Sequence, residues 1–308
     1  MLYSIHKSKI LIAGVSGYVG SFLFEKLHNE YDITGLKNSR DSTHTDFFSL
    51  DLTDKADVKN FSEKFPKFDA LIFLVGLAHK KGKGQEIDEF RRINKQTLVN
   101  LLSALEEQKK LPNKIIFAST VSVYGEKMNQ NIYKEDSEKY PFSPYAVTKL
   151  EAEDYLLEHF AVKAWVLRFA PVYSPDFQLN INRRTQSGNW FYKVGNGSKK
   201  LSLCNLENIG SVVDGILEDK VPAGIYNISD EKDYSYNDLL KYVNAKWVVR
   251  IPTFLVKGLY VVGKMMKNIF LKENATKLIS DNIFPSDKIR QYIKLPATLG
   301  KKTIINNQ

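Results

Sequence analysis

The sequence predicts an α/β fold, a doubly wound parallel sheet followed by a smaller C-terminal lobe. Three observations predict it. Apolar runs of strand length recur between residues 10 and 170, separated by segments of helical periodicity, which is the pattern of a parallel sheet covered on both faces. The first run breaks into a turn with Gly14, Gly17 and Gly20 at three-residue spacing, and a helical stripe follows at once. From about Ser174 the alternation weakens and basic and polar residues cluster, as Arg183, Arg184, Lys193, Lys199 and Lys200. The predicted boundaries are residues 1–173 for the sheet domain and 174–308 for a substrate-binding lobe partly interleaved with it.

Composition narrows the function classes. A chain of 308 residues, 43% hydrophobic, can bury a large core. The net charge of +9 suits a phosphate-bearing ligand, nucleic acid or an anionic membrane surface. No compact Lys/Arg block interleaved with aromatics is present, so nucleic acid is set aside. The one cysteine, Cys204, excludes an internal disulfide, fits a reducing compartment and sits in LSLCNL, where a buried inert thiol is expected. The five histidines are scattered, so no metal centre is expected. The glycine motif comes so early that no signal peptide is expected ahead of it, and the expected location is cytoplasmic.

Taken in order, Ile10, Leu11 and Ile12 form the first strand, and Phe22, Leu23, Phe24 and Leu27 give the stripe of the first helix. Strand, glycine turn and helix make a Rossmann-type dinucleotide turn, which brings the backbone of Gly14, Gly17, Tyr18, Val19 and Gly20 to a pyrophosphate at the helix N-terminus. Residues 31–36, YDITGL, read as the second strand. An acid after it would hold the ribose 2′-OH of NAD. Here Lys37, Asn38, Ser39 and Arg40 follow, so NADP(H) is favoured over NAD(H), with Lys37 and Arg40 at the 2′-phosphate. Residues 47–53 read as a third strand followed by a polar turn, residues 70–75, 114–119 and 164–170 as further strands, and residues 90–106 as a helix. Asp51 or Thr53 is placed to cap the helix after the third strand.

Tyr145 and Lys149 lie four apart in a helical stretch, which puts both side chains on one face. A free tyrosine has a pKa of ~10, and a neighbouring ammonium favours its phenolate. The pair is therefore the candidate acid–base machinery for moving a proton on a substrate hydroxyl.

The G-x-x-G-x-x-G spacing, Thr120-Val121-Ser122-Val123-Tyr124-Gly125 and Tyr145-x-x-x-Lys149 together resemble the extended short-chain dehydrogenase/reductase family, whose members modify nucleotide sugars. The resemblance implies that Asp51 and Leu52 line the adenine pocket. It places Leu74, Val75 and Gly76, in LVGLAH, beside the cofactor, with Asn94, Ser119 and Val172. It assigns Thr120 to orienting the reacting oxygen, Lys149 also to the nicotinamide ribose, Ser122 to substrate, and Asn180 to the substrate diphosphate; His79, at the mouth of the predicted cleft, is a candidate substrate contact by its place in the chain. Lys80, Lys81 and Lys83 read as a basic surface loop that could also meet substrate phosphates. The family's dehydratases and decarboxylases carry acids after the active-site Thr; Val121 and Ser122 stand there instead. What remains is reduction of a 4-keto sugar nucleotide for surface polysaccharide synthesis, preferred on Lys37, Arg40 and the departure at Pro171. The alternative is 4-epimerisation with a recycled NAD. A reading of another class is a non-catalytic NADP-binding sensor. The resemblance also implies a homodimer through residues 94–108 and 145–160. Residues 254–271 are apolar but carry Lys257, Lys264 and Lys267. They are read as a helix packed on the lobe core, with an amphipathic helix resting on an anionic membrane as the lesser alternative.

Overall fold

The computed structural model describes residues 7–38, 46–78, 87–125, 127, 130–266 and 268–300. They fall into two units, each assembled from three stretches of chain. Unit 1 takes Met1–Ser119, Pro144–Leu167 and Pro222–Ile225; unit 2 takes Thr120–Ser143, Arg168–Val221 and Tyr226–Gln308.

Unit 1 begins with β1 (Lys9–Ala13), α1 (Tyr18–Leu27), β2 (Asp32–Lys37), β3 (Phe47–Ser49), α2 (Lys55–Lys64) and β4 (Ala70–Phe73). The third strand stops at Ser49, and the polar turn expected within 47–53 follows it. Asp51 accepts from the Thr53 N–H and hydroxyl, and that local turn competes with the ladder. The N-cap of α2 is Asp54, which accepts from Ala56 and Asp57, rather than Asp51 or Thr53. The predicted single helix over 90–106 is three pieces: α3 (Ile87–Arg91), a π-helical turn (Arg92–Gln96) and α4 (Thr97–Glu107). Then come β5 (Lys114–Thr120), α5 (Pro144–Phe160), opened by a proline that has no N–H to lose there, and β6 (Ala164–Phe169).

These strands form a sheet in the order β6-β5-β4-β1-β2-β3. It is parallel at β1/β2, β1/β4, β2/β3 and β4/β5, with Ile10 opposite Ile33 on one side and Ala70 on the other. The order reverses between β1 and β4, so a crevice opens past the carboxyl ends of these two strands. Leu11, Leu71, Phe117, Leu101, Leu105 and Leu156 fill one core face. Strands apolar on both sides follow from helices on both sides.

Unit 2 contains β7 (Val172–Tyr173), α6 (Leu179–Thr185), β8 (Gln186–Ser187), β9 (Trp190–Val194), β10 (Lys200–Leu201), β11 (Cys204–Asn205) and α7 (Leu206–Leu217). After β12 (Gly224–Ile228) follow β13 (Tyr234–Ser235), α8 (Tyr236–Tyr242), β14 (Val248–Ile251), α9 (Thr253–Met265), α10 (Ile269–Ile279) and α11 (Asp287–Arg290). β12, read from the sequence as part of the lobe, is the seventh strand of the large sheet, beside β6. A smaller sheet has the order β14-β9-β8.

The segment 254–271 is a helical hairpin rather than one helix. Asn268 caps α10 by accepting from Leu271, and a Cβ on Gly263 would come within 2.9 Å of the Lys272 nitrogen, so the close turn needs glycine there. Its expected burial is also corrected. Of α9 only Val256 and Gly263 are buried, because contact with Val194, Ala275 and Ile279 occupies a single narrow side.

Candidate active site

The crevice of unit 1 is walled by the turn after β1 and the end of β4. Gly14 has φ +90°, a left-handed conformation that favours glycine, and its N–H donates to Leu36 O at 2.9 Å. A Cβ on Gly20 would lie 2.3 Å from Gly14 O, so the third glycine lets α1 start hard against the strand end. Gly17 is the N-cap of α1 and has no side chain to cap with, and the first turn holds no acid. Among the described residues, Gly17 thus supplies no capping side chain and the first turn of α1 no carboxylate, as an anion at this end requires. This turn fits a dinucleotide's pyrophosphate.

At the end of β4, Leu74 and Val75 are half-buried and Gly76 is exposed. A Cβ on Gly76 would sit 3.1 Å from both Cε and Nζ of Lys149. Lys149 is 2% exposed; its Nζ donates to Val75 O at 3.0 Å and Ala118 O at 2.9 Å, and lies 4.7 Å from the Phe117 ring. Two donors of the ammonium hold it to the ends of two strands, and one remains for a ligand. Burial pushes its pKa down to about 7, with the Glu153 carboxylate acting in the opposite direction. Glu153 is itself buried and accepts from Ser119, which fixes the second predicted cofactor residue of β5's end to α5.

Asn94 is fully buried in the π turn. Its Oδ1 accepts from Leu77 N at 2.6 Å, and its Nδ2 donates to Thr148 Oγ1 at 2.9 Å and Leu77 O at 3.3 Å. The asparagine ties the chain after β4 to α5, one residue before Lys149. Arg91, just ahead of the π turn, makes a two-pronged bond to Glu151 at 2.8 and 2.9 Å. Tyr145 opens the same helix, half-buried, one turn before Lys149.

The remaining predicted cofactor residues are less alike. Asp51 is exposed, Leu52 is buried, and the Asp51 carboxyl is held below its usual range by the two Thr53 bonds, with Arg92 adding to them. Lys37, predicted at the 2′-phosphate, ends β2 and is buried, with Ser49 of β3 as its ladder partner. Arg40 and His79 lie outside the described residues, as do Lys80, Lys81 and Lys83.

Unit 2 carries Thr120, Ser122, Val172 and Asn180. Thr120 is buried and its Oγ1 accepts from Ser122 N, capping a short 3-10 turn. Asn180 donates to Val172 O at 2.8 Å, so part of its amide holds α6 to β7 rather than standing open for a diphosphate. A pocket within this unit is lined by Ser122, Pro171, Arg184, Tyr236, Lys277 and Asn282, among others. Arg184 and Lys277 bring two cations to it. Asn282 is buried, and its Oδ1 is a polar atom without a hydrogen-bond partner among the described residues. Lys277 and Asn282 belong to no motif and lie far along the chain from Ser122, so no local signal could have found them. Nearby in sequence to β13, Asp230 is a buried carboxylate that accepts from Tyr173, Tyr234, Asn205 and Asn208. Burial pushes its pKa up to about 6 against those bonds. It is a packing hub with every partner inside unit 2. Cys204 is buried and its thiol is pushed well up by burial.

The geometry can be set beside known proteins. The model of the NAD dependent epimerase/dehydratase family matches residues 10–229. The N-acetyl-alpha-D-glucosaminyl-diphospho-ditrans,octacis-undecaprenol 4-epimerase of Escherichia coli O157:H7 is 26% identical over 254 residues, 79% of this chain and 74% of that one. The uncharacterized UDP-glucose epimerase YtcB of Bacillus subtilis is 31% identical over 188 residues, 54% of this chain and 57% of that one, so the match spans little more than half of that relative. Among solved structures, the UDP-glucuronic acid 4-epimerase of Bacillus cereus in complex with NAD superposes with a TM-score of 0.69. It is 20% identical, and the likeness, over 94% of this chain and 93% of that one, is one of fold.

Proposed function

The chain belongs to the NAD dependent epimerase/dehydratase family, and from that premise we propose that it is a 4-epimerase of a sugar carried on a diphosphate, with NAD as its resident cofactor. The observation that carries the proposal is Lys149, anchored on Val75 O and Ala118 O beside Gly76, with Tyr145 one turn ahead of it on the same helix. The glycine turn and the first-turn N–H groups of α1 would hold the pyrophosphate. When bound, NAD supplies a hydride acceptor that is restored within the turnover.

The chain's own groups handle the proton. Tyr145 takes it from the hydroxyl at the carbon being inverted and returns it to the same oxygen. Lys149, in its charged form, favours the tyrosinate and donates its remaining N–H to the cofactor ribose. Thr120 donates to the reacting oxygen and orients it. No acid follows Thr120: Val121 and Ser122 leave nothing to assist an elimination. Two supports favour epimerisation over the reduction expected from the sequence. The relatives of E. coli and B. subtilis bear epimerase names. Lys37 is buried at the end of β2, which weakens the case for its contact with a 2′-phosphate. The pocket within unit 2, with Arg184, Lys277 and the Asn282 Oδ1, has by itself the chemistry to take a diphosphate.

The test is purified protein with UDP-glucose and UDP-N-acetylglucosamine and no added cofactor. The expected result is the 4-epimer by NMR and NAD released on denaturation. Tyr145→Phe should lower kcat by about 10²–10⁴ while NAD stays bound. Turnover only with NADPH and a 4-keto sugar nucleotide would replace this reading with reduction. Turnover only on a polyprenyl-diphosphate sugar would keep the chemistry and change the carrier.

A further inference from the structure

The hairpin of unit 2 has a face that the reaction does not use. On α9, Phe254, Leu255, Leu259, Val261, Val262 and Met265 are exposed, Phe254 by 70% and Met265 by 79%. At the helical 100° per residue, they span an arc of about 160° on the side opposite Val256 and Gly263. A helix on a water-facing surface carries polar residues there. Lys257 and Lys264, one helical heptad apart, stand at one border of this arc, where long side chains lay their stems along apolar surface and keep the charge outside.

The small sheet of this unit carries further exposed apolar side chains. Its strand β14 is paired on one side with β9, and Val248 and Val249 are exposed. Extending the Val248–Phe191 register by one residue sets Trp247 beside Trp190. The two indoles are 84% and 68% exposed. Tryptophans of this kind collect where a hydrocarbon layer meets water.

Charge decides what covers the face. Residues 239–272 contain seven Lys and Arg and no Asp or Glu over 34 residues, whereas the whole chain has a net charge of +9. A second copy docked face to face would bring two such stretches together at like charge. An anionic surface would be attracted by them. The 13 residues of α9 reach about 20 Å, too short to span a bilayer but suited to lie in its interface. No helix among the described residues is long and apolar enough to cross a membrane.

We propose that the outer face of α9, with Trp190, Trp247 and the exposed side chains of β14, docks on an anionic lipid bilayer. It does so whether or not the reaction proposed above is the one catalysed.

The test uses the full chain with vesicles of phosphatidylcholine alone or with about one third phosphatidylglycerol. Flotation with the anionic vesicles is expected, weakened by salt. A blue shift of tryptophan emission should accompany it, since Trp190 and Trp247 are exposed and Trp165 is already buried. Leu255→Gln with Leu259→Gln, at exposed positions, should abolish both signals. Lys257→Glu with Lys264→Glu, which leaves the exposed Phe, Leu, Val and Met side chains of the face in place, should weaken binding by at least about tenfold. Circular dichroism identifies any variant that fails to fold. Three results would overturn the proposal. One is no flotation of the wild type; another is flotation that both folded variants retain in full. The third is a wild-type dimer that the Leu255/Leu259 variant turns into a monomer, which would assign the face to a second copy.

Discussion

Lys149 has a cost as well as a use. Its amine is nine-tenths and more buried, and its pKa falls from 10.5 to about 7 because water is removed from the charge. Between these two values the unfolded chain holds a proton that the folded chain does not, so stability rises with pH across that window. Below about pH 7 both states are protonated and the contribution is flat. Unfolding free energies of wild type and Lys149→Met, measured from pH 6 to 10, should therefore diverge. The wild type should gain on the variant as pH rises, by at most about 4 kcal/mol. A constant difference would mean that Lys149 stays charged in the fold. The two groups at which this chemistry is placed were legible in the sequence because Tyr145 and Lys149 are local, four residues apart on one helix. Gly76 was legible as a glycine but not for what it accommodates, since its neighbour Lys149 is 73 residues away. Lys277 and Asn282 were not legible at all, because only tertiary folding brings them to Ser122.

The irregular element at this site is the π turn at Arg92–Gln96. Apolar periodicity reads straight through it, because Leu98, Leu101, Leu102 and Leu105 keep the helical stripe on the far side. What the periodicity could not report is the extra residue that swings Asn94 toward Leu77 and Thr148. Asn94→Ala leaves the Leu77 N–H and the Thr148 hydroxyl without that partner. It should cost about 2 kcal/mol in urea unfolding and weaken NAD binding, and Asn94→Asp, which keeps the acceptor for Leu77, should cost less. The strands were legible because a sheet covered on both faces leaves runs such as residues 70–73 and 114–118 almost without polar residues. The hairpin of α9 and α10 was misread for the converse reason. Apolar residues were assigned to burial, and here most of them on α9 face outward.

At the scale of the molecule, the chain passes back and forth between its units: three crossings fall inside β5, β6 and β12, one at the start of α5 and one just ahead of β12. A linear division at residue 173 is therefore a division of the sequence and not of the sheet. A protein ending at Tyr173 retains β1 to β6 but lacks β12, and leaves β6 as a bare edge of apolar strand. It should be recovered insoluble, while the full chain is soluble under the same conditions; comparing the soluble fractions checks this. The same interleaving bears on synthesis. Residues Gly224–Ile228 close the large sheet, so the nucleotide-binding half cannot finish folding until almost three quarters of the chain has left the ribosome. Until then its last edge is open to any other strand nearby, and the yield of the protein in a cell depends on how fast translation covers the stretch between β6 and β12.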